Sequence, residues 1–193
     1  MTRIDDERGG VVGKLLGFLL VLGLCATAAL YIYGKHQQPL SADGVHVATS
    51  DGGRQGRTIE VAPGRSVYVA TVVRNDGPLA VTLEGLASGA APTDAYIPVS
   101  IALGDGKTAQ PATGALTPPS LDRHTGIGVV VTYTINPNLA CGQFGDAPSD
   151  PAPLAPATIK LSTYGVDATQ ALTLPGPPMV GGITKSACER ALP

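Results

Sequence analysis

Few residues in this sequence have the types from which a reactive site could be built. The chain contains three histidines, and each stands alone in sequence. His46 and His124 are the pair from which a metal-binding or metal-delivery module would be made, because imidazole nitrogens are common metal ligands. However, His46 alternates with apolar residues in VHVATS, and His124 lies in the turn LDRHTG. Both settings are typical of surface histidines, so we predict no metal ligand and no cofactor.

Patterns for catalysis are equally sparse. The sequence has no Gly-x-Ser-x-Gly elbow, no Ser-x-x-Lys motif and no phosphate-binding Walker loop. An exported hydrolase would have to assemble a triad in space from His124 with Asp122 or Asp105, since no local motif supplies one. Several other aspartates belong to Asp-Gly pairs, which form turns. We therefore predict no catalytic or cofactor-binding residue, and the protein is not expected to be an enzyme.

The three cysteines divide between two settings. Cys25 lies inside an apolar segment, whereas Cys141 and Cys188 are the only thiols in the remainder of the chain. If that remainder is exported, oxidation is favoured, and we predict a disulfide between Cys141 and Cys188. In the chain-entropy model a loop of this length stabilises the fold by about 4 kcal/mol. The Cys-x-x-Cys spacing that lowers a thiol pKa is absent, so a redox-active pair is not expected.

The segment from Val11 to Tyr33 is apolar except for one charge, Lys14. A hydrocarbon core of about 30 Å needs roughly 20 apolar residues in a helix, so the segment predicts a single transmembrane helix, or uncleaved signal anchor. Arg3, Arg8 and Lys14 precede the span, whereas only Lys35 follows it closely. By the positive-inside rule, residues 1–10 are predicted to be cytoplasmic and the C-terminal part extracytoplasmic.

A cleavable signal peptide is the alternative for this segment. Its apolar core would be Leu15 to Cys25, and Ala26-Thr27-Ala28 resembles a small-residue cleavage site. The apolar residues continue through Tyr33, where a processed chain would normally become polar, and this favours an uncleaved anchor. A lipoprotein is not expected, because Leu24 precedes Cys25 where the lipid-modification motif requires a small residue.

The rest of the chain predicts an all-β sandwich of about eight strands. Residues 34–44 are predicted as a stalk, and residues 45–193 as the exported domain with a C-terminal tail. Short runs of β-branched residues are bounded by Gly, Pro, Asp and Asn, and no helical period is sustained. The predicted strands are Val45–Ser50, Thr58–Val61, Ser66–Arg74, Leu79–Leu86, Tyr96–Leu103, Gly126–Ile135, Ala157–Tyr164 and Thr169–Leu174.

Two local patterns refine this prediction. The runs SVYVATVVR and LAVTLEGL flank the turn-forming quartet Asn75-Asp76-Gly77-Pro78, which predicts a β-hairpin. The segment from Pro175 to Val180 contains three prolines, which lack amide donors. It is therefore predicted not to form a central strand and to run over the surface towards Cys188.

The arrangement of these motifs resembles a group of single-pass membrane proteins of high-GC bacteria that carry an immunoglobulin-like exported domain of uncharacterised function. The similarity covers Val67 to Cys188 and consists of the Arg-Asn-Asp-Gly-Pro turn, a cysteine after the strand around Val130, the Tyr164-Gly165-Val166 turn and a last cysteine. It implies an immunoglobulin-like β-sandwich but no activity. The chain departs from true immunoglobulin domains because it has no tryptophan and its cysteines come too late to be the core-spanning pair.

Taken together, these patterns predict a non-catalytic, membrane-anchored envelope protein whose exported β-sandwich is an interaction or structural module. Its expected location is the cell membrane, and its expected partners are that membrane and another envelope or membrane protein. A net charge of −2 gives no basic excess, so nucleic acid is not an expected partner, and the sequence leaves open whether a small molecule binds. Arg54, Arg57 and Arg65 form one basic cluster, predicted near the stalk, which could contact anionic headgroups or simply be solvated.

Overall fold

The computed structural model describes residues 6–36, 38–50, 58–62, 64–87, 93–110 and 118–192. The helices are α1 (Asp6–His36) and α2 (Lys185–Ala191), and a 3-10 turn covers Cys141–Gln143. The strands are β1 (Leu40–Thr49), β2 (Thr58–Ile59), β3 (Val67–Asn75), β4 (Val81–Leu86), β5 (Tyr96–Leu103), β6 (Ser120–Leu121), β7 (Gly126–Ile135), β8 (Ala152–Pro153), β9 (Ala157–Thr163), β10 (Val166–Leu172) and β11 (Met179–Val180).

The strands form two four-stranded sheets and a small third sheet. The first sheet has the order β1-β3-β7-β5, and the second has the order β10-β9-β4-β6. Neighbouring strands in both are antiparallel. The small sheet has the order β2-β11-β8. The predicted all-β sandwich, preceded by an apolar helix, is thus confirmed, and each predicted strand overlaps an observed one.

The core lies between the two larger sheets and is made of alternate residues on each strand. Successive side chains in a strand point to opposite faces, so the inner face of each sheet is apolar. Burying that apolar area is the main favourable contribution to folding. Side chains of these strands with less than 3% exposure on the inner faces include Val67, Val69, Val73, Val129, Val131, Tyr133, Val81, Leu83, Ile159 and Leu161.

The predicted hairpin between the third and fourth predicted strands is wrong. β3 pairs with β1 and β7, whereas β4 pairs with β6 and β9, so the two strands belong to different sheets. The connecting residues 75–80 cross from one sheet to the other. Asp-Gly-Pro turn chemistry bends the chain in either arrangement, so the sequence pattern did not distinguish a hairpin from a crossing between sheets.

Asn75 holds this crossing together. Its side chain is fully buried, and its Nδ2 donates hydrogen bonds to the carbonyl oxygens of Leu79 at 2.8 Å and Leu121 at 3.0 Å. Its Oδ1 accepts a bond from the amide of Gly77 at 3.0 Å. The buried backbone groups of the crossing are therefore satisfied by a side chain instead of a strand ladder.

The predicted stalk does not separate helix from domain. α1 extends to His36, and β1 begins at Leu40, five residues before the predicted start of the domain at Val45. Gly44 has a positive φ of 71°, and the register of β1 against β3 shifts between Asp43 and His46. The Asp-Gly pair is therefore a β-bulge within one strand, whereas the sequence suggested a boundary.

The predicted surface course of the tail was also wrong in part. Met179 and Val180 form β11, the central strand of the small sheet, and Val180 is only 4% exposed. The three prolines precede the paired residues, so β11 keeps the amide donors that the strand needs.

After β11, the C-terminal segment is attached to the rest of the domain by a disulfide. The predicted disulfide between Cys141 and Cys188 is present, with a Cα–Cα distance of 5.6 Å, and Cys188 is fully buried. α2 begins after Thr184, whose side chain caps the helix by accepting a bond from the amide of Ala187 at 3.1 Å. The bridge joins α2 to the turn that follows β7.

We expect the double substitution of Cys141 and Cys188 to serine to lower the free energy of unfolding by about 4 kcal/mol, because the bridge closes a 47-residue loop. Urea denaturation of the full chain in detergent, followed by circular dichroism, measures this loss. Cys25→Ser is the matched control, since Cys25 is exposed and unbridged. A double variant as stable as this control would contradict the prediction.

Candidate functional site at the helix-proximal end

The end of the sandwich next to α1, here called the helix-proximal end, is where the chain enters the domain. β1 begins there, opposite the end of β3, because Leu40 pairs with Asn75. The amide of Asp76 donates to the carbonyl of Pro39 at 2.7 Å, so the crossing between the sheets lies against the entering chain. Other connections at this end include the segment after β5, the turn before β7 and the turn between β9 and β10.

Gln170 holds the first residue of β1 to the opposite sheet. Its Oε1 accepts a hydrogen bond from the Leu40 amide at 2.9 Å, and its Nε2 donates one to the Leu40 carbonyl at 2.6 Å. Both residues are buried, with exposures of 6% and 7%. β1 is an edge strand of the first sheet and β10 is an edge strand of the second. The Gln170 amide therefore pairs with the edge of β1 as a neighbouring strand would, and it closes this side of the sandwich.

A second contact joins the last turn of α1 to the same strand. Gly34 is buried, and a Cβ atom placed on it would lie 3.4 Å from the Cβ and Cγ1 of Val166, the first residue of β10. At that distance one added carbon would be in ordinary van der Waals contact with Val166. A larger side chain would hold the helix farther from β10. α1 and β1 are thus both attached to β10, on either side of a connection of three residues.

The part of α1 before Gly34 is exposed and apolar. Gly13–Gly34 is a 22-residue segment with a mean hydropathy of 2.4, and its residues up to Tyr33 are exposed. At 1.5 Å per residue the segment is about 33 Å long, which matches the hydrocarbon thickness of a bilayer. Length and composition therefore make α1 suitable for crossing a membrane once.

The two histidines predicted as an alternative metal pair lie apart. His46 pairs with Ala70 on β3, whereas the amide of His124 donates to the carbonyl of Asn75 at 2.8 Å. Ala70 and Asn75 are five residues apart on one strand, which is about 16 Å. Within the described residues, no group of three or more His, Cys, Asp or Glu side chains is arranged to hold a metal ion.

The residues considered for a hydrolase triad have other hydrogen bonds. The Nε2 of His124 accepts a bond from the Nε of Arg123 at 2.9 Å. The Asp105 carboxylate accepts bonds from the Thr108 hydroxyl at 2.7 Å and from the amides of Lys107 at 2.8 Å and Thr108 at 2.6 Å. These bonds, the hydroxyl bond first, lower the pKa of Asp105 from 3.8 to about 2. Asp105 thus orders its own turn.

Of the basic cluster, Arg54 and Arg57 lie outside the described residues. Arg65 lies just before β3, at the end of the sandwich farthest from α1, since Ser66 bonds to Ser50 beyond the last residue of β1. The ten residues of β1 separate this end from α1 by about 30 Å. The prediction that Arg65 lies near the entering chain was therefore wrong.

One open depression lies on the outer face of the second sheet. It has a volume of about 450 Å³ and is lined by Glu84, Lys160, Asp167, Ala168 and Thr169. Its charges come from three neighbouring strands, β4, β9 and β10. The depression is shallow and open, and it carries both acidic and basic side chains.

Sequence reasoning missed the residues that form the helix-proximal contacts. Gln170 reads as one polar residue in the alternating strand ATQAL, and Gly34 reads as the end of an apolar run. The signal that could have found Gln170 is the period-2 pattern itself, which places it on the same face as Leu172 and hence in the core.

We expect Gln170→Ala to lower the free energy of unfolding by roughly 2–6 kcal/mol, because two buried backbone groups of Leu40 each lose a partner worth about 1–3 kcal/mol. Urea denaturation of the full chain in detergent measures the change. Thr169→Ala is the control, since Thr169 is exposed on the adjacent position. Equal stability of the two variants would show that the Leu40 groups find another partner.

We expect Asp105 to titrate near pH 2 in the folded protein, below its ordinary value of 3.8. Because the folded pKa is the lower one, the stability that this turn contributes is complete above pH 3.8 and is lost as the pH falls through 2. A carboxyl-carbon NMR titration measures the pKa. Thr108→Val removes the hydroxyl bond, so it should raise that pKa; an unchanged titration would refute this assignment.

Comparison of the sequence with models of known protein families finds no match, and comparison with curated proteins finds no match either. Function is therefore inferred from the geometry of the chain itself.

Proposed function

We propose that this protein is a non-catalytic membrane-anchored envelope protein, in which α1 crosses the membrane once and the exported β-sandwich is an interaction or structural module. The observation that carries the proposal is the joint between α1 and the sandwich. An exposed apolar helix of membrane-spanning length ends at Gly34 against Val166, and the chain is held again at Leu40 by Gln170. The domain is thus attached closely to the end of the helix.

The direction of insertion is supported by charge and by redox chemistry. Arg3, Arg8 and Lys14 precede most of the apolar segment, and positive residues are retained on the cytoplasmic side. The Cys141–Cys188 disulfide fits an oxidising compartment on the other side. Tyr31 and Tyr33 stand at the end of the helix next to the sandwich, where aromatic residues favour the interface between membrane and water.

The joint also favours an anchor over a cleaved signal peptide. Cleavage after Ala28 would remove most of the apolar segment and leave a short remnant containing Gly34. In the folded chain the helix continues without a break from Asp6 to His36, and its last turn contacts β10. An uncleaved helix therefore uses a contact that a signal peptide would not need.

The strand order supports an immunoglobulin-like domain. Immunoglobulin constant-type domains place strands A, B, E and D in one sheet and C, F and G in the other. Here the seven long strands, taken in chain order, occupy these places: β1, β3, β7 and β5 in the first sheet, and β4, β9 and β10 in the second. Domains of this class commonly act by contact through their sheet faces, edges and loops. The polar depression at Glu84, Lys160 and Asp167 is suited to such contact.

Site-specific thiol labelling tests the proposed anchoring and direction. In a Cys25→Ser background, we expect Thr169→Cys to react with a membrane-impermeant maleimide on cells whose outer barrier alone is opened. Thr2→Cys should react only after the membrane is dissolved, because the reagent does not cross it. Mass spectrometry of the same proteins should show residues 1–28 retained.

Two outcomes would contradict the proposal. Labelling at residue 2 but not at residue 169 before the membrane is dissolved would mean the opposite orientation. Loss of residues 1–28 from the mature protein would mean that the apolar segment is a signal peptide and not an anchor.

A further inference from the structure

The turn between β9 and β10 presents an unusual residue. Tyr164 and Gly165 close the two strands as a two-residue connection, with φ values of 49° and 77°. Such a turn favours asparagine, aspartate or glycine, and a bulky residue at positive φ is uncommon. The Tyr164 side chain is 78% exposed, more than any other large hydrophobic side chain in the described part of the chain. Tyr164 therefore exposes its aromatic ring at a turn position where aromatic residues are uncommon.

The turn between β9 and β10 lies close to the end of α1. Val166 contacts Gly34, the last residue of the apolar helical segment, and Tyr164 is two residues from Val166. Two residues of chain span at most about 7 Å. Tyr164 therefore lies close to the end of α1. Tyr31 and Tyr33, in the last two turns of α1, are 53% and 45% exposed.

The charge pattern distinguishes this turn from the others at the helix-proximal end. Leu161–Val166 contains no charged residue, and the nearest charges along the chain are Lys160 and Asp167. By contrast, the crossing between the sheets carries Asp76, and the turn before β7 carries Asp122 and Arg123. Moving a charge into the headgroup and acyl boundary is costly, whereas a tyrosine with its apolar ring and polar hydroxyl is favoured there.

We propose that the β9–β10 turn, Thr163 to Val166, enters the headgroup interface of the membrane that α1 crosses, with Tyr164 as its anchor. This inference rests on the proposed membrane insertion of α1 and adds a second point of attachment. One helix fixes where the sandwich is, but it allows rotation and tilt. A helix and an adjacent interfacial turn hold the edge formed by β1 and β10 towards the membrane and leave the β5 edge pointing away from it.

Tryptophan fluorescence tests the inference directly, because the chain has no tryptophan of its own. Tyr164→Trp, Leu24→Trp and Gln143→Trp each give a full-length protein with one tryptophan, in the turn, in the middle of α1, and on the exposed 3-10 turn at the opposite end of the sandwich. Each is reconstituted into vesicles of phosphatidylcholine and phosphatidylglycerol. Nitroxide lipids labelled at the headgroup, or shallow or deep in the acyl chain, serve as quenchers.

We expect Y164W to be quenched by headgroup and shallow labels and to emit at a shorter wavelength than Q143W, which should be quenched by none of the lipids. L24W should be quenched most by the deep label. If L24W behaves so but Y164W resembles Q143W, the inference fails while the anchoring by α1 stands. If L24W is not quenched, the proposed function fails and this inference with it. Protection of Y164W from aqueous acrylamide without lipid quenching would show a protein surface covering the turn, and would also overturn the inference.

Discussion

The hydrogen bonds between Gln170 and Leu40 are the interaction on which the arrangement of helix and sandwich depends. β1 is an edge strand, and an edge exposes backbone donors and acceptors that must find partners when they are buried. At Leu40 those groups are covered by the opposite sheet, and a carboxamide is the side chain that supplies one donor and one acceptor in the needed spacing. The same strand, β10, contacts Gly34 of α1. One edge strand therefore closes the sandwich and locates the helix.

A second buried amide has a similar role at the crossing between the sheets. Asn75 supports a segment that has left one ladder and has not yet entered the next, and it does so with two donated bonds and one accepted bond. Buried polar groups are costly unless they are satisfied, so such positions admit few alternatives. The apolar core explains why the sheets pack, whereas these amides explain why the connections take the paths that they do.

The distribution of features along the sandwich gives it two different ends. The helix, the Gln170 contact and the uncharged β9–β10 turn lie at one end, while the disulfide and α2 lie beyond the end of β7 at the other. The disulfide holds the C-terminal segment in place at the end of the sandwich that lies away from α1.

The amino-acid sequence alone determined the apolar helix, the strands from Tyr96 to Leu103 and from Gly126 to Ile135, and the pairing of Cys141 with Cys188, because each depends on local composition or on a single available partner. Only the tertiary structure decided which sheet contains β4, that β1 extends back to Leu40, and where β11 lies. The Asp-Gly pairs at 43–44 and 76–77 have the same local chemistry, yet one is a bulge within a strand and the other part of a crossing between sheets. The two pairs differ in their distant hydrogen-bond partners. The Thr71 hydroxyl donates to the carbonyl of Gly44 at 2.7 Å, and the Asn75 side chain donates to the carbonyl of Leu121. Contacts between residues far apart in sequence carry no local signature, so the joint at Gln170 and the position of Tyr164 beside α1 were visible only once the chain was folded.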